Sequence, residues 1–292
     1  MRQKLFKNKR LNQKPKSKNL KIMEEKQKIQ KKPKRTLAQK IGYAAALVDF
    51  QIHFEQGLTA LKIRNTHLKK NETPDPETEK FQSEMEKFKE KKFLKPVAKI
   101  LKLHPAHPWF SRVKGIGQEN IAKVLCFIDI NKAPTISSLW KYAGYAVVDG
   151  AGERPVKGKE LHFNKTLKLM CYRVGTSLIK SHELIKSKGG EGTKFGAFFE
   201  KALKQEAMKF ESKGMKVLPT VDWKKLEDAE KSENASEYYV HMRAFRRMIK
   251  LFLGCLWLYW RQAEGLPIRD PYPVEKLGHT TVIQPYEMID RD

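Results

Sequence analysis

The chain has 292 residues, a hydrophobic fraction of 40% and a formal net charge of +26 at pH 7. The length allows one large or two modest domains, and the charge predicts a polyanionic partner. No apolar run approaches the roughly 20 residues that span a bilayer, which argues against a membrane protein. Cys126, Cys171 and Cys255 lack metal-ligand spacing, and Met1–Phe6 lacks the apolar core of a signal peptide. We therefore expect a cytoplasmic protein in a reducing compartment.

Residues 1–35 are predicted to form a solvated basic tail. Residues 1–40 contain sixteen Lys or Arg against two Glu, so this short stretch carries +14 of the total charge. Few apolar groups are present to offset the entropy of ordering the chain. A solubilising leader and a segment that orders on a partner both remain open.

Residues 36–105 are predicted to form a helical hairpin. Thr36 is placed to cap a helix that runs towards Leu68, and the prolines of Pro74-Asp-Pro76 end it. A second apolar periodicity then continues to Leu101. His104 and His107 have ligand-like spacing, but the prolines between and after them and the lack of nearby Cys or Asp favour helix entry over a metal site.

Residues 106–188 begin with the pattern of a helix-hairpin-helix DNA-binding domain. Gly115 and Gly117 flank Ile116, which predicts a tight turn that lets the backbone approach a ligand closely. An amphipathic helix follows, and the free amides at its start favour a phosphate. Lys114 and Lys123 add full positive charges. An ordinary turn between packed helices is the alternative.

Further basic residues follow in a glycine-rich loop, Asp149–Lys159, and in a helix capped by Asn164. The candidate phosphate ligands in this part of the chain are Arg154, Lys157, Lys159, Lys165 and Lys168. Three aromatic residues nearby, Trp140, Tyr142 and Tyr145, suit base stacking or, as we favour, core packing.

The remaining sequence is predicted to contain a linker with one helix over residues 189–235 and a long helix at the start of 236–292. The linker helix covers Phe195–Ser212, and the long helix ends near Ala263. Its apolar run, Met248–Trp260, is interrupted by Lys250 and is typical of a buried helix. An irregular tail follows. The predicted fold class is therefore mainly α.

Four features occur in a fixed order between Val113 and Ile179. They are the hairpin Gly115-Ile-Gly117 with its apolar helix, a short helix ending in Tyr142-Ala143-Gly144, a glycine-rich loop at Gly150–Gly158, and a basic helix at Asn164–Lys180. This order resembles the C-terminal domain of insertion-sequence transposases of the 110/116/902 group. The resemblance covers about a quarter of the chain and implies DNA binding, a mobile-element origin and a link to DNA transposition and recombination.

Full-length members of that group are DNA recombinases guided by a structured RNA. The resemblance implies a RuvC-like N-terminal domain with four acidic metal ligands and a catalytic serine in the glycine loop. The chain departs from both, because helices replace the acidic domain and Asp149-Gly150 stands where the Ser-Gly pair is expected. An aspartate cannot form the phosphoserine link, and Ser137, Ser138, Ser177 and Ser181 lie in predicted helices.

Two functional hypotheses follow. The first is a DNA-binding protein that binds the phosphate backbone without cleaving it. Under this hypothesis we expect no cofactor, and we name no catalytic residue. The second is an active transposase or recombinase whose chemistry comes from a partner or a divergent site. It would need Mg²⁺, with Asp129, Asp149 and Glu153 as acidic candidates, although turn formation and solvation explain these residues more simply. The expected partners are DNA or structured RNA and no membrane, with homo-oligomerisation left open.

Overall fold

The chain folds as a mainly α protein, as the sequence predicts. The structure is a computed structural model and describes residues 35–148, 151–158, 160–269 and 283–291. Most of the predicted basic tail, residues 1–34, lies outside the described residues. The same is true of Asp149, Gly150 and Lys159 from the glycine-rich loop, and of residues 270–282 and 292 from the C-terminal tail.

Two long helices form the predicted hairpin. Helix α1 is Leu37–Lys70 and α2 is Pro76–Lys89, which continues through a π-helical turn, Glu90–Leu94, into α3, Lys95–Leu101. Asp75 caps α2, because its carboxylate accepts the amide of Glu77 at 3.1 Å. The ion pairs Lys69–Glu79, Lys62–Glu86 and Lys89–Glu55 show that the two helices run antiparallel.

Short elements follow the hairpin. Helix α4 is His107–Arg112, α5 is Gln118–Leu125, a 3-10 turn covers Ile130–Lys132, and α6 is Ile136–Tyr142. Thr135 caps α6 by a reciprocal pairing with Ser138. Strands β1 (Val147–Val148) and β2 (Ala151–Gly152) then pair antiparallel, with Val147 opposite Gly152. This small β-hairpin belongs to the loop that the sequence predicts to be glycine-rich.

Three long helices build the second half of the described chain: α7 (Lys165–Ser187), α8 (Lys194–Glu211) and α11 (Glu237–Ala263). Side-chain caps start each of them, from Asn164, Thr193 and Ser236 respectively. The predicted bounds of α8 and α11 are confirmed to within a few residues, whereas α7 begins as predicted and continues beyond the predicted end at Lys180 to Ser187.

The segment between α8 and α11, interpreted from sequence as a polar linker, has structure of its own. Strand β3 (Lys216–Leu218) pairs in parallel with β4 (Asn234–Ser236), and the helices α9 (Thr220–Trp223) and α10 (Asp228–Glu233) connect them. The linker interpretation was wrong here because three-residue strands leave no readable periodicity in a sequence.

Helix α11 runs through the core, which the apolar run at its C-terminal half requires. Phe252 packs against Trp109, Phe110 and Phe195, with ring centroids 5.4–5.8 Å apart. The indole of Trp257 donates to the carbonyl of Ala133 at 2.8 Å, so this polar group is satisfied on burial. No helix in the described ranges has the length and apolar character needed to cross a bilayer.

A short C-terminal segment also packs on this core. Its 3-10 turn, Pro285–Met288, buries Met288, and the indole of Trp109 donates to the carbonyl of Pro285 at 2.8 Å. This part of the predicted irregular tail lies against the body.

Candidate nucleic-acid interface

The predicted glycine turn joins α4 to α5, and its two glycines have different roles. Gly115 has φ +91°, which disfavours other residues, and its carbonyl accepts the Ser177 hydroxyl of α7 at 2.6 Å. Gly117 has φ −83° and is the N-cap of α5, so its backbone conformation is open to other residues. Between them, Ile116 is buried in the core. The structure therefore has two helices joined by the predicted tight turn, and of its two glycines Gly115 alone has a conformation that requires glycine.

One amide of this turn already binds a carboxylate. The amide of Lys114 donates to Asp290 Oδ2 at 2.9 Å, and the other oxygen of Asp290 accepts the amide of Lys194 at 2.7 Å. Arg112 Nε donates to the carbonyl of Arg291 at 2.9 Å beside it. The C-terminal segment thus places a negative charge next to the turn.

Lys123, a predicted phosphate ligand, lies in a buried ion-pair cluster. Its side chain is only 2% exposed, and its ammonium lies 2.5 Å from Glu55 and 2.6 Å from Glu119. Lys89 bridges the same two carboxylates at 2.9 and 3.3 Å. Contact between Lys123 and a phosphate would require these ion pairs to break. In the structure, the charge of Lys123 instead joins α5 to α1 through Glu55.

Burial and hydrogen bonding act in opposite directions on Glu55 at the centre of that cluster. Burial raises the pKa of its carboxyl, whereas hydrogen bonds with Glu119, Lys123, Gln51 and Lys89 lower the pKa to about 2. The carboxylate is therefore charged at neutral pH, and it balances the lysines around it.

The basic candidates after the glycine turn lie on the other side of α7. Arg154, Lys157 and Lys165 are exposed, and Lys159 lies outside the described residues. Lys168 is half-buried: its ammonium donates to the carbonyl of Glu153 at 2.7 Å and lies 4.3 Å from the centroid of the Phe163 ring.

Two further cations join this region from α11, and the sequence-based assignment missed both. The guanidinium of Arg246 lies against Gly152 of β2, where an added Cβ would come within 2.4 Å of it. The ammonium of Lys250 lies 4.0 Å from the centroid of the Trp140 ring. We refer to Arg154, Lys168, Arg246 and Lys250 as the basic cluster.

Within the described residues, the positive charge of the basic cluster is only partly balanced. Burial, followed by the charge of Arg246, lowers the pKa of both Lys168 and Lys250. Arg154 lowers the pKa of Lys168 further, whereas Glu153 raises it. These shifts show that the like charges are close enough to repel one another. An anion bound here would relieve that repulsion.

The structure thus separates the predicted ligands into two sets on opposite sides of α7. Ser177, which holds the glycine turn, follows Lys168 by nine residues, and each residue of an α-helix turns by about 100°. The two contacts are therefore half a turn apart around the helix. Lys114, Gly115, Ile116, Gly117 and Lys123 lie on one side, and Arg154, Lys165 and Lys168 on the other.

A signal for Arg246 and Lys250 was present in the sequence, although it was not used. These two residues lie four apart on α11, on the face next to that of Arg243 and Arg247. Arg243 and Arg247 are held by Glu206 of α8 at 2.7 and 2.9 Å. Only the fold shows which of the four cations have a carboxylate partner.

The aromatic candidates differ in exposure. Tyr145 is buried, and Trp140 is half-buried with its indole donating to the carbonyl of Lys250 at 3.0 Å. Tyr142 is exposed at its edge, and its hydroxyl accepts the side-chain amide of Asn164 at 2.9 Å. Tyr145 and much of the Trp140 side chain therefore pack in the core, which is the interpretation that we favoured over base stacking from the sequence.

Several residues considered for catalysis have structural partners where they are described, but Oε2 of the Glu153 carboxylate is buried without a hydrogen-bond partner among the described residues. Asp129 caps the 3-10 turn by accepting the amide of Asn131 at 3.1 Å, and Asp149 lies outside the described residues. Ser138 belongs to the α6 cap, and Ser177 and Ser181 pack against Gly115. Within the described ranges, no three His, Cys, Asp or Glu side chains are grouped so that they could hold a metal ion.

Comparison of the chain with protein-family models, with curated proteins and with solved structures gives no match.

Proposed function

We propose that this protein binds nucleic acid through its phosphate backbone, and that the basic cluster is the main contact. The observation that supports this most directly is the placement of Arg246 against Gly152 and of Lys168 on the carbonyl of Glu153, with Arg154 and Lys250 close enough to interact electrostatically. Among the described residues, Glu153 is the carboxylate that acts on this group. Keeping like charges together costs free energy, and a bound polyanion offsets that cost.

The charges around each set favour the basic cluster over the glycine turn as the main contact. Near the turn, Glu55, Glu119 and Asp290 supply three carboxylates, and Lys123 is engaged by two of them. A phosphate at the turn would meet Asp290 on the amide of Lys114. We therefore propose the amides from Gly115 onwards as a secondary contact at most.

Nucleic acid suits this surface better than a small anion does. The four cations come from a β-hairpin, from α7 and from α11, so they present several separate positions for phosphates. The whole-chain charge of +26 adds long-range attraction for a polymer of phosphates. Contacts of this kind position a strand without reading its sequence.

The resemblance to insertion-sequence transposases leads us to propose DNA as the first partner to test, followed by structured RNA. We propose binding without strand cleavage, because Asp149 stands at the position expected for the serine nucleophile. Three unpaired cysteines, each with a pKa that burial raises to about 12, lead us to propose a reducing compartment such as the cytoplasm.

The test compares the double variant Arg246→Gln/Lys250→Gln with the wild type over a series of salt concentrations. Each phosphate contact contributes about 0.9 to the slope of log K against log salt on duplex DNA, so we expect the slope to fall by roughly 1 to 2. The matched control, Lys92→Gln/Lys102→Gln, removes the same charge from exposed positions in the helical hairpin region, residues 36–105. Equal slopes for the two double variants would contradict the proposal.

A separate variant tests the glycine turn. Lys114→Gln removes the charge nearest to that turn without entering the core, and we expect a much smaller loss of affinity than for the basic-cluster variant. If Lys114→Gln has the larger effect, the turn is the main contact and our ranking of the two surfaces is wrong.

A further inference from the structure

An open groove adjoins the basic cluster, one helical turn further along both helices that carry it. Tyr172 follows Lys168 by four residues on α7, and Met242 precedes Arg246 by four residues on α11, and both line the groove. Four residues advance a helix by about 6 Å, so the groove begins about one helical turn from the cations of the basic cluster. The groove has a volume of about 530 Å³, enough for a small planar ligand.

Aromatic rings line the groove, and two of them, Tyr172 and His241, pack against rings of the protein. Tyr172 is 44% exposed and packs against the ring of Phe245, with centroids 5.2 Å apart. Tyr238 also lines the groove and is 59% exposed. The ring of His241 lies edge-on to Phe199 at 5.0 Å. Rings that are already ordered offer a stacking surface at a low entropic cost.

The charge of the groove differs from that of its neighbour. None of the lining residues is Lys or Arg, and Glu237 contributes a carboxylate. Burial lowers the pKa of His241, so its imidazole is neutral at neutral pH. A phosphate is therefore favoured in the basic cluster and disfavoured in the groove, whereas an uncharged base is accepted there. The Glu237 carboxylate accepts hydrogen bonds, as the exocyclic amine of a base requires.

We propose that this groove binds an unpaired nucleobase from a single strand whose phosphates contact the basic cluster. The inference rests on the proposed nucleic-acid function and makes it specific. Bases of a double helix are stacked on one another, so only an unpaired base has a free face for Tyr172 or Tyr238. The protein should then prefer single strands, or duplexes with an unpaired end or bulge, over a fully paired duplex.

The test measures binding of the full chain to fluorescein-labelled oligo-dT, oligo-dC and a mixed-sequence duplex of the same length at one salt concentration. Tyr172→Leu and Tyr238→Leu should each weaken single-strand binding by roughly 5- to 150-fold, the range expected for loss of one stacked base. Binding to the duplex should change little. Tyr286→Leu, at an exposed tyrosine outside the groove, is the matched control and should leave every affinity unchanged.

A second measurement locates the base directly. Oligo-dT carrying 5-bromodeoxyuridine should crosslink under ultraviolet light to peptides that contain Tyr172 or Tyr238, and thermal unfolding shows whether each variant is folded. If Tyr172→Leu fails to fold, the more exposed Tyr238 carries the comparison. Crosslinks confined to other peptides, or equal losses on single strands and duplex, would overturn the groove inference alone. Failure of the wild type to bind any of these nucleic acids would overturn the proposed function itself.

Discussion

At the scale of single residues, a buried carboxylate fixes some of the cations of α11 in place. The side chain of Glu206 in α8 is 2% exposed. Its carboxylate accepts hydrogen bonds from Arg243 at 2.7 Å, from Arg247 at 2.9 Å and from Lys209 at 2.8 Å. Burial alone would raise its pKa, but hydrogen bonds from Lys209 and Arg243 and the charge of Arg243 lower the pKa to about 2. Glu206 thereby fixes two arginines of α11 in the structure, while the neighbouring Arg246 faces the β-hairpin.

This pKa predicts a dependence of stability on pH. Because the pKa of Glu206 falls from 4.5 to about 2 on folding, its contribution is complete above about pH 4.5 and is lost as the pH falls towards 2. The contribution is on the order of 3 kcal/mol. We expect Glu206→Gln to lower the free energy of unfolding at neutral pH by about 3 kcal/mol and to flatten its acid dependence. Urea unfolding at neutral and acidic pH measures both; an unchanged acid slope would show that Glu206 is not the group responsible.

A second residue-scale prediction concerns Gly152. A Cβ at this position would lie 2.4 Å from the end of the Arg246 side chain, which is flexible and can move away. Gly152→Ala should therefore displace Arg246 and weaken nucleic-acid binding, while the free energy of unfolding changes by less than about 1 kcal/mol. Gly42→Ala, at a site where a Cβ meets no atom within 4 Å, is the control for binding. Wild-type affinity in Gly152→Ala would indicate that the position of Arg246 is unimportant.

At the scale of elements, the two glycines of the turn between α4 and α5 differ in whether their backbone conformation requires glycine. Gly115 combines φ +91° with a position where a Cβ would lie 2.9 Å from that of Ser181 and 3.3 Å from the Leu178 backbone. Gly117 combines φ −83° with open space. Only the first glycine is required by the fold, although the sequence pattern treats the two alike.

The matched pair Gly115→Ser and Gly117→Ser tests this difference. Gly115→Ser should lower the free energy of unfolding by about 1–3 kcal/mol, because a side chain is strained in this conformation and crowds α7. Gly117→Ser should change it by less than about 0.5 kcal/mol, since serine is a favoured N-cap. Chemical denaturation of the two variants gives both values. A larger loss for Gly117→Ser would mean that the turn differs from the one described here.

The elements that the sequence predicted well are those with local signals. The helix ends that Asn164 and the prolines around Asp75 predict lie within a few residues of the helix ends in the structure. The burial of Lys123 depends on Glu55, 68 residues earlier, and the position of Arg246 depends on Gly152. Contacts of this kind have no local pattern, so the predicted site contained a buried lysine and lacked two cations of the basic cluster.

At the scale of the whole molecule, charge is divided between the N-terminal region and the compact unit Leu37–Asp292. Residues 1–40 carry +14 of the net +26. Removing residues 1–34 should flatten the salt dependence of binding without abolishing it, because the basic cluster remains. Titrations of both chains against the same duplex and single strand measure this. If the shortened chain binds neither at low salt, the N-terminal region accounts for all the binding and the basic cluster for none.

The carboxylate of Asp290, which bridges the amides of Lys114 and Lys194, also has a consequence for synthesis of the protein. The Lys114 amide and its partner are 176 residues apart. Ribosomes add about 5–20 residues each second, so the turn is made roughly 9–35 s before the residue that completes it. During that interval the nascent chain exposes Trp109 and the surface on which Met288 later packs. A premature stop codon that removes Pro285–Asp290 would leave the amides of Lys114 and Lys194 without this carboxylate permanently.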